Sequence, residues 1–169
     1  KQYEAHYAVY DLSFSIGFNQ IFGFIGPNGA GKTTTLKIIA GMLNSSEGQC
    51  MVEGLDVIHD RLKVKQQVGY LPEEDFLYGE MKLYDHLYYI AELYDVADIP
   101  AAIEHVLEVT DLIELKDQVI KTMSKGQRRR AAIAKTLVHD PSLVILDELT
   151  SGLDPISSRK MVRTVQSLK

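Results

Sequence analysis

The stretch GPNGAGKTTT, residues 26–35, changes character in its middle. Its first six residues include three glycines, a proline and an asparagine, and a lysine with three threonines follows. The spacing Gly26-x-x-x-x-Gly31-Lys32-Thr33 is that of a phosphate-binding loop, which stands between a strand and a helix. A short apolar run precedes the stretch, and residues 33–43 after it have a helical period. The context therefore supports the pattern, and we expect this loop to bind phosphate.

The residue types of this loop suit phosphate for physical reasons. Glycines let consecutive backbone N–H groups turn towards phosphate oxygens, and the N-terminus of the following helix adds positive potential. Lys32 is expected to reach the terminal phosphates, and the hydroxyl of Thr33 is expected to bind Mg²⁺. The loop alone leaves kinase, GTPase and ATPase open.

A second informative segment is the apolar run at residues 143–146, which ends in Asp147 and Glu148. Such a run predicts a parallel strand buried on both faces. Ligands bind at the carboxyl edge of open parallel sheets. Asp147 is therefore a candidate for the Mg²⁺ shell, and Glu148 is a candidate for orienting or deprotonating a water. The alternative is a buried strand with a solvated acidic end.

The rest of the chain predicts an α/β domain. Alternating apolar residues predict strands at 9–16 and 21–25, parted by a turn at 17–20, and shorter strands at 51–57 and 68–71. Residues 81–138 are predicted to be helical, with Pro100 separating one helix from the next. The apolar stripe of the first of these helices consists of Leu83, Leu87, Ile90 and Tyr94. We expect one domain over residues 1–169, with a helical insertion at about 75–140.

Composition excludes several classes of protein. At 169 residues and 46% apolar content, the chain has enough material for one core. Its single cysteine, Cys50, and the absence of a leader pattern favour a reducing, cytosolic compartment. No run approaches the ~18 apolar residues of a membrane span. The net charge of −5 disfavours a nucleic-acid surface, with the run Arg128-Arg129-Arg130 as a local exception.

Four motifs, at residues 26–34, 123–127, 143–148 and 151–154, resemble those of the nucleotide-binding domain of the ABC transporter family and follow the family's order along the chain. Residues 26–34 resemble its Walker A motif, and residues 143–148 resemble its Walker B motif. Met123-Ser124-Lys125-Gly126-Gln127 is similar to the family signature Leu-Ser-Gly-Gly-Gln, with Lys125 in place of the first glycine. Ser151-Gly152-Leu153-Asp154 resembles the D-loop, and Tyr3 matches the aromatic residue that stacks on adenine. The resemblance runs from Tyr3 to the end of the sequence.

The resemblance implies that two subunits bind ATP head to tail, between the Walker motifs of one subunit and the signature of the other. It implies a P-loop NTPase core sheet with an N-terminal antiparallel β part and an inserted helical subdomain. The implied catalytic residues are Glu148 and Lys32, and the implied metal ligands are Thr33, Glu73 and Asp147. The implied nucleotide-binding residues are Tyr3, Asn28, Gly29, Ala30, Gly31, Lys32, Thr33, Thr34, Ser124, Gly126, Gln127 and Asp154.

Two departures from the family pattern affect the expected function. Glu73 stands where the family often has glutamine, in the form Leu-Pro-Glu-Glu that resembles ATPases serving exporters. The family places a switch histidine beyond the D-loop, whereas the last histidine here is His139. We therefore expect the C-terminal part of the family fold to be absent, and turnover by this chain stays open at this point.

Three functions follow as expectations. The first is the Mg²⁺-dependent ATPase of an ABC exporter, held at the inner face of the cell membrane by a separate permease subunit. The second is a soluble ABC ATPase that acts on ribosomes or DNA. The third is a nucleotide-binding module with little or no turnover.

Overall fold

The computed structural model describes residues 1–3, 6–150 and 153–166. The chain forms two compact units, Lys1–Lys65 and Gln66–Lys169. No helix within the described residues is both long and apolar enough to cross a membrane.

The first unit combines short antiparallel strand pairs with a helix. Strands β1 (Gln2–Tyr3) and β2 (His6–Tyr7) pair with each other, as do β3 (Met51–Val52) and β4 (Leu55–Asp56). The sequence predicted one strand at 51–57, which is wrong because the chain reverses at Glu53 and Gly54, both at positive φ (49° and 79°). Two positive φ values in a two-residue loop are typical of a tight hairpin turn.

The predicted strands at 9–16 and 21–25 are absent, because no strand occurs anywhere between residues 8 and 31. The chain does turn between them, at Phe18 and Asn19, and the Gln20 side chain accepts a hydrogen bond of 3.1 Å from the Gly17 N–H. The rings of Phe14 and Phe22 stack with 5.6 Å between their centroids. Side chains of the segments 9–16 and 21–25 thus contact each other, but a strand also requires hydrogen bonds between the two backbones.

Helix α1 covers Lys32–Ile39, a shorter range than the predicted 33–43. Gly41 ends it in the left-handed region (φ 64°), where the N–H groups of Met42 and Leu43 turn back to the Lys37 carbonyl. A left-handed glycine after the last turn is a common helix terminator. A second helix, α2 (Arg61–Gln67), contains the boundary between the units.

The second unit contains the predicted parallel strand pair. Strand β5 (Val68–Leu71) and strand β6 (Leu143–Leu146) pair in register from Val68 opposite Leu143 to Leu71 opposite Leu146. Both strands confirm the sequence prediction. Burial of β6 is less complete than expected, since only Ile145 is fully buried and its neighbours are half-buried.

The helical prediction for residues 81–138 is confirmed by α3 (Leu83–Leu93), α4 (Ile99–Val109) and α5 (Lys125–Leu137). Short 3₁₀ turns cover Ile113–Leu115 and Ile120–Thr122, and α6 covers Pro155–Gln166. Pro100 lies inside the first turn of α4 and does not separate the helices. Proline is tolerated there because the first-turn N–H groups lack helical partners.

Helix α5 packs against two sets of apolar residues, and this position decides what it can hold. One face joins α3 and α4 in a core of Leu83, Leu87, Ala91, Ile103, Val106, Leu107, Leu112, Ile120, Met123, Ala131, Ala134 and Val138. The other face contributes Ala132 and Ile133 to a second cluster with Leu71 and Met161. Two packed faces fix the rotation of α5 about its axis, so its remaining side chains point in set directions.

Candidate functional site

The loop before α1 has the backbone of an anion cradle. Gly29 and Gly31 lie in the left-handed region (φ 81° and 84°), and Gly31 is the N-cap of α1 with no side-chain cap. A Cβ on Gly31 would stand 2.2 Å from the Ala8 carbonyl oxygen and 2.8 Å from a Val9 methyl carbon. Only glycine fits there, and the first-turn N–H groups, which have no helical partners, stay open to a ligand.

Lys32 is the first residue of α1, and its side chain folds back over the loop. Its Nζ donates to the carbonyl oxygens of Gly26 (2.8 Å) and Pro27 (2.9 Å). This places an ammonium group above the cradle, where a phosphate would exchange the carbonyls for a stronger, charged acceptor. Thr33 is exposed and Thr34 is half-buried. Asn28 and Ala30 are exposed in the loop itself.

Tyr3 lies at the end of β1 with its ring partly exposed. The Lys1 Nζ stands 5.1 Å from the centre of the ring, a distance typical of a cation–π contact. The open part of the ring is a surface on which a base can stack.

In the second unit, the carboxylates after β6 have contrasting surroundings. Asp147 is 4% exposed, its N–H donates to the Leu71 carbonyl, and its Oδ2 lies 3.4 Å from the Tyr70 hydroxyl. Burial, followed by the nearby Asp147 carboxylate, raises the pKa of Tyr70 to about 12, so Tyr70 stays a neutral donor. Glu148 is exposed and has a left-handed backbone (φ 49°). Asp147 is therefore held in place, and Glu148 extends into solvent.

Glu73 is also exposed, two residues beyond the end of β5. Because β5 and β6 are parallel neighbours, Glu73 and Asp147 follow the same edge of the pair. Sequence reasoning predicted Asp147 at such an edge and gave Glu73 only through the family resemblance, and the strand pairing explains how the two residues share the edge.

Ser124 is the N-cap of α5. Its Oγ accepts from the Gln127 N–H (3.2 Å), while the Gln127 side chain accepts from the Ser124 N–H (2.7 Å), which completes a capping box. Lys125 and Gly126 form the first turn, where N–H groups are available to an anion outside the helix.

The segment that resembles the D-loop, residues 151–154, is only partly described. Ser151 and Gly152 lie outside the described residues. Leu153 is half-buried, and the exposed Asp154 precedes α6, where its carbonyl accepts from the Ser158 N–H (2.9 Å).

Arg129 was missed as a candidate because the sequence shows it only as one of three adjacent arginines. In the structure it is buried, and its guanidinium contacts the segments after both strands. It donates to the carbonyls of Pro72 (2.8 Å) and Glu73 (3.0 Å) and to the Asp75 carboxylate (3.1 Å). It also donates to the carbonyls of Asp147 (3.1 Å), Glu148 (3.1 Å) and Leu149 (3.2 Å). Nothing in the sequence distinguishes it from Arg128 and Arg130.

Two more titratable groups lie near the Glu73 segment, the half-buried Lys135 and the fully buried His86. Lys135 donates to the carbonyls of Asp75 (2.9 Å) and Phe76 (3.2 Å), and burial lowers its pKa. His86 is fully buried against the Tyr78 ring, and neither of its ring nitrogens has a hydrogen-bond partner among the described residues. Burial, and next the Lys135 charge, lowers the pKa of His86 to about 4, so this histidine is neutral.

The candidate metal ligands are oxygen donors, the kind of ligand that Mg²⁺ binds in proteins. Nowhere in the described part of the chain do three or more His, Cys, Asp or Glu residues cluster to hold a metal ion. Mg²⁺ commonly takes one or two carboxylates and completes its shell with phosphate and water. The buried Asp147 carboxylate suits such a site.

The candidate residues fall in both units. Tyr3 and the Walker A residues lie in the first unit, and Glu73, Ser124, Asp147, Glu148 and Asp154 lie in the second. Within the second unit, Arg129 joins the segments that carry Glu73 and the 147–148 carboxylates. A glycine cradle at a helix N-terminus, together with carboxylates after parallel strands, defines the class of phosphate-loop nucleotide-binding proteins.

Comparison with known proteins identifies the family. The model of the family described as ABC transporter matches residues 9–151, and the chain belongs to this family. It is 38% identical over 165 residues to the ABC transporter ATP-binding protein NatA of Bacillus subtilis (strain 168), covering 96% of this chain and 67% of NatA. It is 30% identical over 176 residues to the lipopolysaccharide export system ATP-binding protein LptB of Haemophilus influenzae, covering 100% of this chain and 72% of LptB.

Among solved structures, the chain resembles cbiO1 from Clostridium perfringens, part of the ABC transporter complex cbiONQ. The TM-score is 0.75 at 26% identity, over 85% of this chain and 60% of cbiO1. The predicted fold class, an α/β P-loop NTPase fold, is thereby confirmed. The chain spans about half to two thirds of the first curated relatives, 49% of the Bacillus subtilis protein YhcH and 67% of NatA.

Proposed function

We propose that this chain binds and hydrolyses Mg²⁺-ATP and thereby powers an ABC exporter whose permease is a separate subunit. The observation that carries the proposal is the cradle before α1. Its left-handed Gly31 excludes any Cβ, and Lys32 extends over the loop. A loop that leaves N–H groups open at a helix N-terminus has the chemistry to bind the phosphates of a nucleotide.

The proposed roles follow from the surroundings of each residue. Lys32 would exchange its contacts with the Gly26 and Pro27 carbonyls for phosphate oxygens. Thr33, Asp147 and Glu73 would hold Mg²⁺, which when bound neutralises charge on the phosphates. Glu148, exposed beside the buried Asp147, would orient or deprotonate the attacking water.

The remaining proposed ligands would bind the nucleotide as a whole. Tyr3 would stack on the base, since part of its ring is exposed. Asn28, Gly29, Ala30, Gly31 and Thr34 would contribute the loop around the phosphates. Ser124, Gly126, Gln127 and Asp154 would contact a nucleotide held by a second subunit, identical or related, in a head-to-tail dimer.

The export direction and the permease are supported by the relatives. LptB is described as part of an export system, and cbiO1 is described as part of an ABC transporter complex. By extension, we propose that this chain lies at the inner face of the membrane, bound to a permease. The Glu73 form of the segment after β5 agrees with the export direction.

The test is phosphate release from Mg²⁺-ATP, together with equilibrium binding of the nucleotide. Lys32→Ala is expected to abolish tight binding, and Glu148→Gln is expected to keep binding but stop release. Lys37→Ala, an exposed lysine on the same helix, and Glu104→Gln, an exposed glutamate on α4, are the matched controls. Both controls should behave as the unaltered chain.

Unchanged release in Glu148→Gln would remove that residue from the mechanism. Binding that is equal in Lys32→Ala and Lys37→Ala would refute the cradle as the phosphate site. Permease partnership is tested separately, by co-purification with a membrane protein from cells that produce the chain, and capture on ribosomes or DNA alone would refute the exporter role.

A further inference from the structure

We propose that Arg129 is the positioning residue for hydrolysis, because one guanidinium holds both segments that carry the candidate metal and water ligands. This inference rests on the proposed function for its catalytic consequence. Its structural part, that Arg129 ties the two segments together, stands on contacts within the second unit alone.

The contacts use the whole guanidinium group. Nε donates to one acceptor, Nη2 to two and Nη1 to three, so six hydrogen bonds share five N–H hydrogens. Three acceptors belong to residues 72–75 after β5, and three belong to residues 147–149 after β6. The acceptors after β5 lie 54 to 57 positions from Arg129 in sequence. Only a planar, forked cation reaches two backbone segments in this way.

The backbone around Glu148 directs its carbonyl oxygens towards the Arg129 guanidinium. Asp147, Glu148 and Leu149 present three consecutive carbonyl oxygens to Arg129, whereas consecutive carbonyls of an extended chain point in alternate directions. The left-handed conformation of Glu148 provides the required turn. The guanidinium thus stabilises a backbone conformation that sets the direction of the Glu148 side chain.

Stability alone is a poor explanation for these contacts. The Arg129 side chain is 4% exposed, and its carboxylate partner, Asp75, is 25% exposed. Burying a guanidinium carries a large desolvation cost, which an apolar residue of similar volume would avoid. What an apolar residue cannot do is hold the carbonyls of the segment after β5 and those of the segment after β6 at once.

Arg130 offers a matched control on the next position of α5. It also donates to carbonyls and a carboxylate, but its acceptors are Thr110 (3.4 Å) and Asp111 (3.0 and 2.7 Å), beyond the end of α4. Arg130→Met therefore removes three hydrogen bonds of the same kinds, to carbonyls and a carboxylate, from a region without candidate site residues.

The first measurement is backbone hydrogen exchange by mass spectrometry on the nucleotide-free chain. In Arg129→Met and Arg129→Lys, peptides covering 72–76 and 147–150 should both exchange faster, on the order of tenfold, because each loses bonds to a charged donor. Arg130→Met should leave both segments unchanged. Asp75→Asn, a milder change at a half-buried side chain, should accelerate exchange at 72–76 and serves if an Arg129 variant does not fold.

The second measurement separates positioning from binding. The Arg129 variants should keep the Kd for Mg²⁺-ATP within about twofold of the unaltered chain, while kcat per folded molecule falls on the order of 10- to 100-fold. Lysine should not rescue kcat, because it keeps the charge and loses the fork. Unchanged exchange in both segments, or kcat retained in Arg129→Lys, would overturn the proposal. Absence of phosphate release from the unaltered chain would instead refute the proposed function, and exchange would still decide whether Arg129 joins the segments.

Discussion

Gly31 provides a quantitative test of the cradle before α1. The perturbation is Gly31→Ala, which adds one methyl group. That methyl would meet the Ala8 carbonyl oxygen at 2.2 Å, a separation that requires the backbone to move. Gly48→Ala is the matched control, because Gly48 has nearly the same φ (78° against 84°), lies in the same unit and has no atom within 4 Å of the added Cβ.

Two effects make up the expected loss of stability. An L-residue in the left-handed region costs about 1–2 kcal/mol, and both variants bear this cost. Overpacking against fixed neighbours costs about 1–3 kcal/mol more, and only Gly31→Ala bears it. We therefore expect a loss of about 1–2 kcal/mol in Gly48→Ala and about 2–5 kcal/mol in Gly31→Ala.

The assay is equilibrium denaturation in guanidinium chloride, followed by far-ultraviolet circular dichroism without nucleotide. The difference between the two variants isolates the clash from the backbone cost. Equal losses in the two variants would refute the close approach of Ala8 to Gly31. Binding of Mg²⁺-ATP, measured under native conditions, should weaken in Gly31→Ala and stay unchanged in Gly48→Ala.

Two further predictions concern the second unit. The folded-state pKa of His86, about 4, lies below its ordinary 6.5, so the unfolded chain binds an extra proton between these values and stability falls with acidity over this range. His86→Gln should remove about 3 kcal/mol of the decrease in unfolding free energy between pH 6.5 and 4. His105→Gln, at an exposed site on α4, should leave that decrease intact. An equal decrease of the unfolding free energy with falling pH in both variants would contradict the burial of His86. Ser124→Ala should cost about 1 kcal/mol through the lost N-cap of α5, as should Asp98→Ala, whose carboxylate caps α4 through the Ala101 N–H (3.1 Å). Only Ser124→Ala should also slow phosphate release, and a similar slowing in Asp98→Ala would assign the effect to stability.

Local signals in the sequence predicted the elements that depend on local physics. The apolar runs at 68–71 and 143–146 form strands β5 and β6, as each run alone predicted, although the pairing of these two strands with each other was not predicted. The helical period over 81–138 also succeeded, because burial of one face repeats every turn.

Elements that depend on distant partners were predicted less well. Residues 9–25 alternate like strands, but a strand needs a paired ladder, which alternation alone does not provide. The end of α1 is a different case, because its signal is local: Gly41, in the left-handed region just after the last turn, ends the helix before the predicted residue 43.

The residues of the candidate site also divide into those that a local sequence pattern indicates and those that it does not. Motif spacing indicated Gly31, Lys32 and Asp147 as candidate site residues, because the residues that define each motif are close together in the sequence. Arg129 was not predictable, since its acceptors lie 18 to 57 positions away and its neighbours are also arginines. His86 falls one position before Leu87 of the predicted stripe, where a polar residue is ordinarily assigned to the surface.

The left-handed backbone of Glu148 sets two demands on one position. The conformation alone would favour glycine or asparagine, whereas the proposed chemistry requires a carboxylate. A stability-guided redesign would therefore replace Glu148 by glycine, gain about 1 kcal/mol, and yield a firmer protein without its water-orienting group. A choice of residue based only on folding stability would therefore remove the carboxylate that the proposed chemistry requires. Deep mutational scans for abundance and for phosphate release should rank the substitutions at Glu148 in opposite orders.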